Sequence, residues 1–373
     1  MKVMEEGYAG TENKMDCMVH VKPGNKIIVE GKSAELFDNH IKEIVEKKLD
    51  ELDVEASVEI KENGAVDYVI LARLEAAIAK ATRSDIPDKK SRRGKTARDR
   101  MRRSRLYLPG NNPRYLNNIV IYGSDAVILD MEDSVALDYK FDARYLVKNA
   151  LKSLDFGGSE TWVRINRETA NDDIKQISYG MPHGICIPKV ESKEDIEVIE
   201  KIMEEVGGDF HLMPIIESAK GILNAHEIAS SSDKIVAIAF GAEDYTHSIE
   251  AKKSWENLLY PRQKILLAAK ASDVQALDTV YSNVNDIDGL RTETKKIVEM
   301  GFDGKGAIHP SQIEIIHESF KPDKEEIEEA RKIVNAIEEA RKKGLGAVSL
   351  NGKMIDLPVE KKARRILKLA SLY

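Results

Sequence analysis

The sequence predicts an α/β protein: a (β/α)8 barrel preceded by a small α+β domain. Three observations carry that expectation. The chain has 373 residues, too many for one small module and enough for a barrel-sized domain with an extra one. From Arg105 onward, short apolar runs alternate with longer helix-period segments; eight such units in about 230 residues is the arithmetic of a closed barrel. A basic ribbon separates this part from an acidic beginning, which marks a domain junction.

The elements follow in order. Residues 1–82 carry 11 Lys+Arg and 17 Asp+Glu. Within them Lys26–Glu30 suits a strand, and Ala34–Leu52 has apolar residues at Leu36, Ile41, Ile44, Val45 and Leu49, the spacing of an amphipathic helix with Ser33 as N-cap. Ala56–Ile60 alternates like a strand and runs into the turn signal Asn63-Gly64; Ala65–Ala81, apolar and alanine-rich, reads as strand then helix. Residues 83–105 hold 11 Lys+Arg against 3 Asp, with Pro87, Gly94 and the run Lys89-Lys90-Ser91-Arg92-Arg93. So few apolar residues cannot fold alone, so the ribbon reads as a solvated linker, or as a surface that steers a phosphorylated ligand. No aromatics interleave with its basic residues, which argues against a nucleic-acid arm.

The eight candidate barrel strands are Arg105–Pro109, Ala126–Met131, Thr161–Ile165, Gly184–Pro188, His211–Ile216, Ile235–Phe240, Val274–Val280 and Gly306–Ile308, with helical segments such as Ser192–Val206, Ala219–Ser230 and Pro261–Lys270 between them. An open doubly wound sheet is the rival. It wants a glycine-rich turn after the first strand, and Leu108-Pro109-Gly110-Asn111-Asn112 is not GxGxxG. The chain closes with a charged amphipathic helix, Lys324–Leu345, an irregular tail over 346–358 and a short helix; such a tail can pack on a neighbour or over the barrel's mouth. The expected divisions are 1–82, a linker at 83–102, a barrel at 103–320 and a helical tail at 321–373.

Composition excludes several classes. Hydrophobic residues make up 42% and charged ones 32%, enough for a core in a water-soluble protein. No apolar run reaches 18 residues and no charged-then-apolar leader opens the chain, so neither a membrane span nor a secretory signal is expected. Two cysteines, Cys17 and Cys186, cannot build a disulfide framework, so the cytoplasm is the expected compartment. A net charge of −7 argues against general nucleic-acid binding.

The chemistry gathers after the strands, where barrel enzymes keep it. Seven of the eight candidate strands end in polar residues, among them Asp130-Met131-Glu132-Asp133, Arg164-Ile165-Asn166, Glu217-Ser218, Gly241-Ala242-Glu243-Asp244 and His309-Pro310. Glu217 and Asp244 follow adjacent strands, so their carboxylates can converge. With no Cys/His cluster nearby they suit a hard cation such as Mg²⁺, which keeps waters that a substrate can replace. Arg164 can grip a substrate carboxylate in a two-pronged way; it can also form an ion pair with Glu132 or Asp133, and the two roles are compatible. A metal and an arginine together point to a 2-oxo or 2-hydroxy acid and to C–C cleavage beside that carbon. Other signals fail. The loop Val284–Gly289 has Val and Lys where an EF-hand needs its first and twelfth ligands, and His20, His40 and His226 lack zinc spacing. Gly344-Leu345-Gly346 is too short for a dinucleotide motif, and Ser218 lacks a nucleophile elbow.

Several segments resemble the HpcH/HpaI aldolase and citrate lyase family, its citrate lyase beta subunits in particular. They are Arg103–Gly110 (RSRLYLPG), Asp125–Ala136 (DAVILDMEDSVA), Val163–Asn166, Ile216–Ser218, Gly241–Tyr245 (GAEDY), Asp278–Ser282 (DTVYS), Gly301–Lys305 (GFDGK) and Val348–Asp356 (VSLNGKMID). The resemblance runs in order over about residues 100–370 and is specific as a set. It implies a Mg²⁺-dependent lyase on a TIM barrel, a homotrimer or larger homo-oligomer, that cleaves a 3-hydroxy-3-carboxyacyl thioester into a 2-oxo acid and an acetyl-type thioester. By the same resemblance Glu217 and Asp244 are the metal ligands and Arg164 the carboxylate anchor, with Glu132 and Asp133 positioning Arg164 and the thioester end. Asp356 is the acid/base that a neighbouring subunit's tail contributes. Gly241 and Ala242 offer backbone groups to the 2-oxo acid, while Arg105, Lys305 and His309 handle the CoA arm. Residues 1–82 resemble the acyl-carrier (gamma) subunit of the same lyase, through Ala9-Gly10-Thr11 and Gly64–Ala76 (GAVDYVILARLEA). There the attachment serine of that family is replaced by Lys14, which is no hydroxyl nucleophile, so no covalent prosthetic group is expected and the implied substrate is a free CoA thioester. His309, in Ile308-His309-Pro310, points the same way. The rivals are a class II aldolase on free 2-oxo acids, a malyl-CoA thioesterase, and a non-catalytic scaffold or regulatory subunit of a lyase complex; a citrate lyase-type alpha subunit is a candidate partner, and neither nucleic acid nor membrane is an expected one.

Overall fold

In the computed structural model, which describes residues 1–373 except 93, 343, 345, 346, 351 and 352, the chain opens with a four-stranded sheet. Strands β1 (Gly7–Gly10), β2 (Cys17–Lys22), β3 (Ile27–Gly31) and β4 (Ser57–Glu62) stand in the order β1-β2-β4-β3. β3 and β4 are parallel and the other pairs antiparallel. β2 buries Cys17, Val19 and Val21 in strict alternation, as a strand with one covered face does. β1 was not expected. It is the four residues Gly-Tyr-Ala-Gly, poor in strand formers, and it ends at Gly10 with φ +91°, where a side chain would strike the Cys17 carbonyl. Helix α1 (Ala34–Leu52) buries Ile41, Val45, Leu49 and Leu52 but leaves Leu36 exposed; Ser33 stands at its N-cap without a side-chain bond. Helix α2 (Asp67–Thr82) takes up nearly all of the segment read as strand then helix, since alanine and leucine favour the helix over a short strand.

Eight parallel strands then close into a barrel: β5 (Ser104–Pro109), β6 (Ala126–Asp130), β7 (Glu160–Arg164), β8 (Gly184–Ile187), β9 (His211–Ile216), β10 (Ala237–Phe240), β11 (Gln275–Val280) and β12 (Gly304–Ala307), with β12 pairing back onto β5. Most are buried on both faces, which is why they read as unbroken apolar runs. β12 starts two residues before its sequence pattern because Lys305 is buried by ion pairing and not by apolar character. Between the strands lie α3 (Pro113–Leu116), α4 (Lys140–Ser153), α5 (Ala170–Ser178), α6 (Lys193–Glu205), α7 (Ala219–Leu223), α8 (Ala225–Ala229), α9 (Ala242–Ser248) and α10 (Trp255–Ala271). Ile128, Trp162, Cys186, Met213, Ile215 and Leu277 belong to one buried cluster of the barrel.

The sheet module and the barrel form one compact unit, Met1–Val284 with Gly301–Ile313. Helix α2 packs on α4 and is buried nearly all round. Glu75 on α2, with no exposed surface, meets Lys148 Nζ at 2.8 Å and accepts from Asn149 Nδ2 at 2.6 Å. The ribbon that follows is mostly exposed but tethered to the barrel, away from the strands' C-terminal ends. It lies across their N-terminal ends: Lys90 donates to the Val206 and Gly207 carbonyls, Lys95 pairs with Asp209, Arg98 and Arg100 donate to the Asp233 and Gly158 carbonyls, and Arg102 grips Glu160 at 2.6 Å. Its charges answer barrel oxygens, which sequence alone cannot reveal.

A second compact unit holds Asn285–Met300 and Glu314–Tyr373. It contains α11 (Ile287–Met300), most of α12 (Ser311–Phe320), α13 (Lys324–Lys342), the hairpin β13 (Val348–Leu350) and β14 (Lys353–Ile355), and α14 (Leu357–Ala370). Ala330 and Val334 of α13 pack on Ala363 of α14, and Arg341 and Arg364 both pair with the buried Glu360. The expected helix end at Leu345, with Gly346, Asn351 and Gly352 of the quoted tail motifs, lies outside the described residues. No helix among the described residues is long and apolar enough to cross a membrane.

Candidate active site

Strand register builds one half of the site. β6 and β7 run parallel with Asp130 directly beside Arg164, both at their strands' C-terminal ends. Asp130 accepts from Arg164 Nε and Nη2, each at 2.7 Å, and from the backbone N–H groups of Glu132 at 2.9 Å and Ser134 at 3.2 Å. Burial alone would raise its pKa, but the guanidinium and these N–H groups outweigh that and hold it low. Arg164 Nη1 stands 3.1 Å from Glu132 and 3.5 Å from Asp133, and its guanidinium lies over the Tyr107 ring at 5.5 Å. Arg164 thus meets both expected carboxylates, yet its closest and two-pronged partner is Asp130, which sequence reasoning passed over. The signal was available in the aligned ends of the second and third strands.

The other half is a carboxylate in no ion pair among the described residues. Glu217, just past β9, is 4% exposed and accepts the Lys189 N–H at 2.6 Å. Lys189 has φ +53°, a sparsely populated conformation for a non-glycine residue. Its ammonium turns to Glu132 and Asp133 instead. Burial, reinforced by the charge of Asp244 and eased by the Lys189 N–H, pushes Glu217 up to about 8. Asp244, half-buried on α9, lines the same cavity. That cavity, of about 490 Å³, is also lined by Arg105, Tyr107, Asp130, Asp133, Ser134, Arg164 and Thr279. Buried oxygen donors carrying excess negative charge fit a hard divalent cation. Among the described residues no group of three or more His, Cys, Asp or Glu could hold a metal ion, so a cation here would complete its shell with water and substrate oxygens, as Mg²⁺ does.

The remaining expected residues separate. Arg105 lines the cavity, with Nη2 2.5 Å from the Asp278 carbonyl. Lys305 lines neither this cavity nor the groove beside it: it is wholly buried, 2.8 Å from the Asp278 carboxylate and 3.1 Å from the Thr279 carbonyl. His309 is exposed, lines an adjoining groove and bonds the Ser311 hydroxyl. Gly241 and Ala242 line the cavity; their backbone N–H groups donate to the Ile216 carbonyl at 3.0 Å and to the Thr279 hydroxyl at 3.1 Å. What Gly241 supplies is room, since a Cβ there would press on Glu217. Asp356 stands in the second unit as the N-cap of α14, accepting from the Val359 N–H.

A closed barrel with a carboxylate pair, one of the two buried, and an arginine at the C-terminal ends of its strands has the make-up of an enzyme that handles small carboxylates with a divalent cation. Comparison with known proteins makes this particular. Residues 103–310 match the HpcH/HpaI aldolase/citrate lyase family, and the chain belongs to it. Residues 4–81 match an acyl-carrier family described as malonate decarboxylase delta subunit. Citrate lyase subunit beta of Leuconostoc mesenteroides subsp. cremoris is 41% identical over 285 residues, spanning 73% of this chain and 94% of that one. The mitochondrial citramalyl-CoA lyase of Homo sapiens is 36% identical over 291 residues, 72% and 86% of the two chains. The crystal structure of CitE from Mycobacterium tuberculosis, in complex with magnesium, acetoacetate and coenzyme A, superposes with a TM-score of 0.59 at 29% identity, covering 74% of this chain and all of that one.

Proposed function

We propose that the protein is a Mg²⁺-dependent carbon–carbon lyase that cleaves a 3-hydroxy-3-carboxyacyl CoA thioester, of citryl, citramalyl or malyl type, into a 2-oxo acid and an acetyl or related thioester. The observation that carries this reading is Glu217: buried, beside Asp244, without a cation, in the cavity that Arg164 also lines. Glu217 and Asp244 would hold Mg²⁺, which supplies Lewis-acid polarisation of the substrate's carboxylate and hydroxyl oxygens. Arg164, locked by Asp130 and flanked by Glu132 and Asp133, orients the substrate carboxylate. Loss of the hydroxyl proton to solvent turns that carbon–oxygen bond into a carbonyl. The electrons of the breaking C–C bond pass to the thioester's α-carbon as an enolate, which takes up a proton. Asp356 of a neighbouring copy donates that proton, within a homotrimer or larger assembly in the cytoplasm. The family motifs at 125–136, 216–218, 241–245 and 348–356 support these assignments.

The test is to incubate the full chain with Mg²⁺ and, separately, citryl-, citramalyl- and malyl-CoA, and to detect released 2-oxo acid. Turnover of at least one, abolished by a chelator and by Asp244→Ala with folding intact, is expected. Free CoA released without 2-oxo acid would make the protein a thioesterase. Turnover retained in Asp244→Ala would overturn the metal assignment.

A further inference from the structure

The lyase reading uses one cavity and leaves the groove next to it unexplained. This groove, of about 550 Å³, shares Tyr107, Leu108, Pro109 and Ile308 with the active-site cavity. Two parts of the chain build it. The N-terminal module contributes Lys14 and Met15, and the barrel contributes Arg114, Tyr115, Tyr122 and His309. No acidic residue is among its described lining residues. Lys14 and Arg114 are exposed, and no ion pair among the described residues engages either. A groove with cations and no counter-charge selects an anion, and Tyr115 and Tyr122 offer rings of the kind on which a base stacks.

The Lys14 turn is held from both sides. The Asp16 carboxylate accepts from Arg73 Nε and Nη2, each at 2.9 Å, and from the Thr11 hydroxyl at 2.8 Å. Arg73 also donates to the Asn111 carbonyl of the barrel at 3.0 Å, and the Gly10 N–H donates to Asp142 at 3.0 Å. Below the turn, α2 is buried between its own sheet and α4. A carrier that visits distant sites must come away from its partner, and detaching this module would expose the α2 face and strip Glu75 of Lys148.

We propose that the module is a fixed wall of a site for free CoA thioester, in which Lys14 and Arg114 hold the nucleotide phosphates while the acyl end reaches the barrel's carboxylates. This rests on the lyase reading for the identity of the acyl end. The recognised chemistry, a phosphate-bearing pantetheine thioester, is shared by free CoA and by an arm attached to a protein, and the fixed module favours the free form.

The test compares the full chain with Lys14→Glu, Arg114→Glu and Lys14→Arg, using a CoA thioester and the matching pantetheine thioester that lacks the nucleotide. For the CoA thioester, each Glu variant is expected to raise KM roughly tenfold, with kcat held within about twofold and the effect shrinking as salt rises. Lys14→Arg keeps the original KM. The wild type is expected to prefer the CoA thioester, and the Glu variants to lose that preference. An unchanged KM in Lys14→Glu overturns the proposal and leaves the lyase reading intact. So does equal wild-type use of both thioesters, or an intact mass that shows an arm on the module. If no thioester is cleaved, the lyase reading fails by itself, and calorimetry with CoA alone still decides. Roughly tenfold weaker binding to Lys14→Glu supports the site, and equal binding overturns it.

Discussion

Asp278 and Glu217 are both barrel carboxylates with almost no exposed surface, and their pKa values are displaced in opposite directions. Asp278 has Arg262 Nε at 2.8 Å and Lys305 Nζ at 2.8 Å. Burial would raise it, but the two cations hold it down at about 2. Glu217 has one backbone N–H and a like charge for company, and burial lifts it to about 8. Burial is common to both, so compensation makes the difference. A buried charge that the fold neutralises is part of the scaffold, whereas one left uncompensated waits for something from outside.

The largest effect that sharpens this contrast is on stability. Asp278→Ala strands two buried cations, and its expected cost is about 3–5 kcal/mol, read as a lowered midpoint in urea unfolding. Glu217→Gln removes a charge that the fold does not compensate, so without Mg²⁺ its midpoint near pH 8 should match or exceed the wild type. Equal losses in the two variants would erase the distinction.

The same contrast explains what was legible in the sequence. The barrel could be read because strands buried on both faces are continuous apolar runs. Glu217, Asp244 and Arg164 could be picked out as candidates because barrel enzymes keep their reactive groups after the strands, and all three line one cavity. Lys305 misled, because a lysine after Gly-Phe-Asp-Gly looks available until Asp278 is seen against it. Asp130 was overlooked, because only strand register sets it beside Arg164. The ribbon's contacts were hidden for a related reason: the carbonyls that receive Lys90 and Arg98 are far away in sequence, and only the fold brings them there. Sequence displays the charges, and only tertiary pairing tells which are satisfied.

Next in size is a pH effect. Glu217 moves from an ordinary 4.5 to about 8 on folding, so the folded state favours its protonated form. Its stabilising contribution is therefore complete below about pH 4.5 and is lost as pH rises through about 8. In a chelator, thermal stability should fall over that window by a few kcal/mol attributable to this group. Glu217→Gln should remove that part of the slope. Because Mg²⁺ must displace the proton, its affinity should rise with pH up to about 8 and then level. A Glu217→Gln profile identical to the wild type would mean that the carboxylate is compensated after all.

The smallest effect tests what keeps Glu217 in place. Gly241 has φ −103°, a conformation open to alanine, so the backbone sets no barrier to Gly241→Ala. The obstacle is steric: a Cβ would lie 2.7 Å from the Glu217 Cβ and closer still to its carboxylate. Gly241 cannot retreat without breaking its N–H bond to the Ile216 carbonyl at 3.0 Å, and Glu217 cannot retreat without leaving the Lys189 N–H. The carboxylate must turn and, because the Glu217 Cβ cannot turn with it, the backbone must also give, so Gly241→Ala should weaken Mg²⁺ binding by about 10- to 100-fold, the range typical of groups that orient a metal ligand, and lower the unfolding midpoint in chelator. Combined with Glu217→Gln it should add little further loss of Mg²⁺ binding, because the two changes disable one ligand. Additive losses would show that Gly241 acts on the cavity by some route other than Glu217.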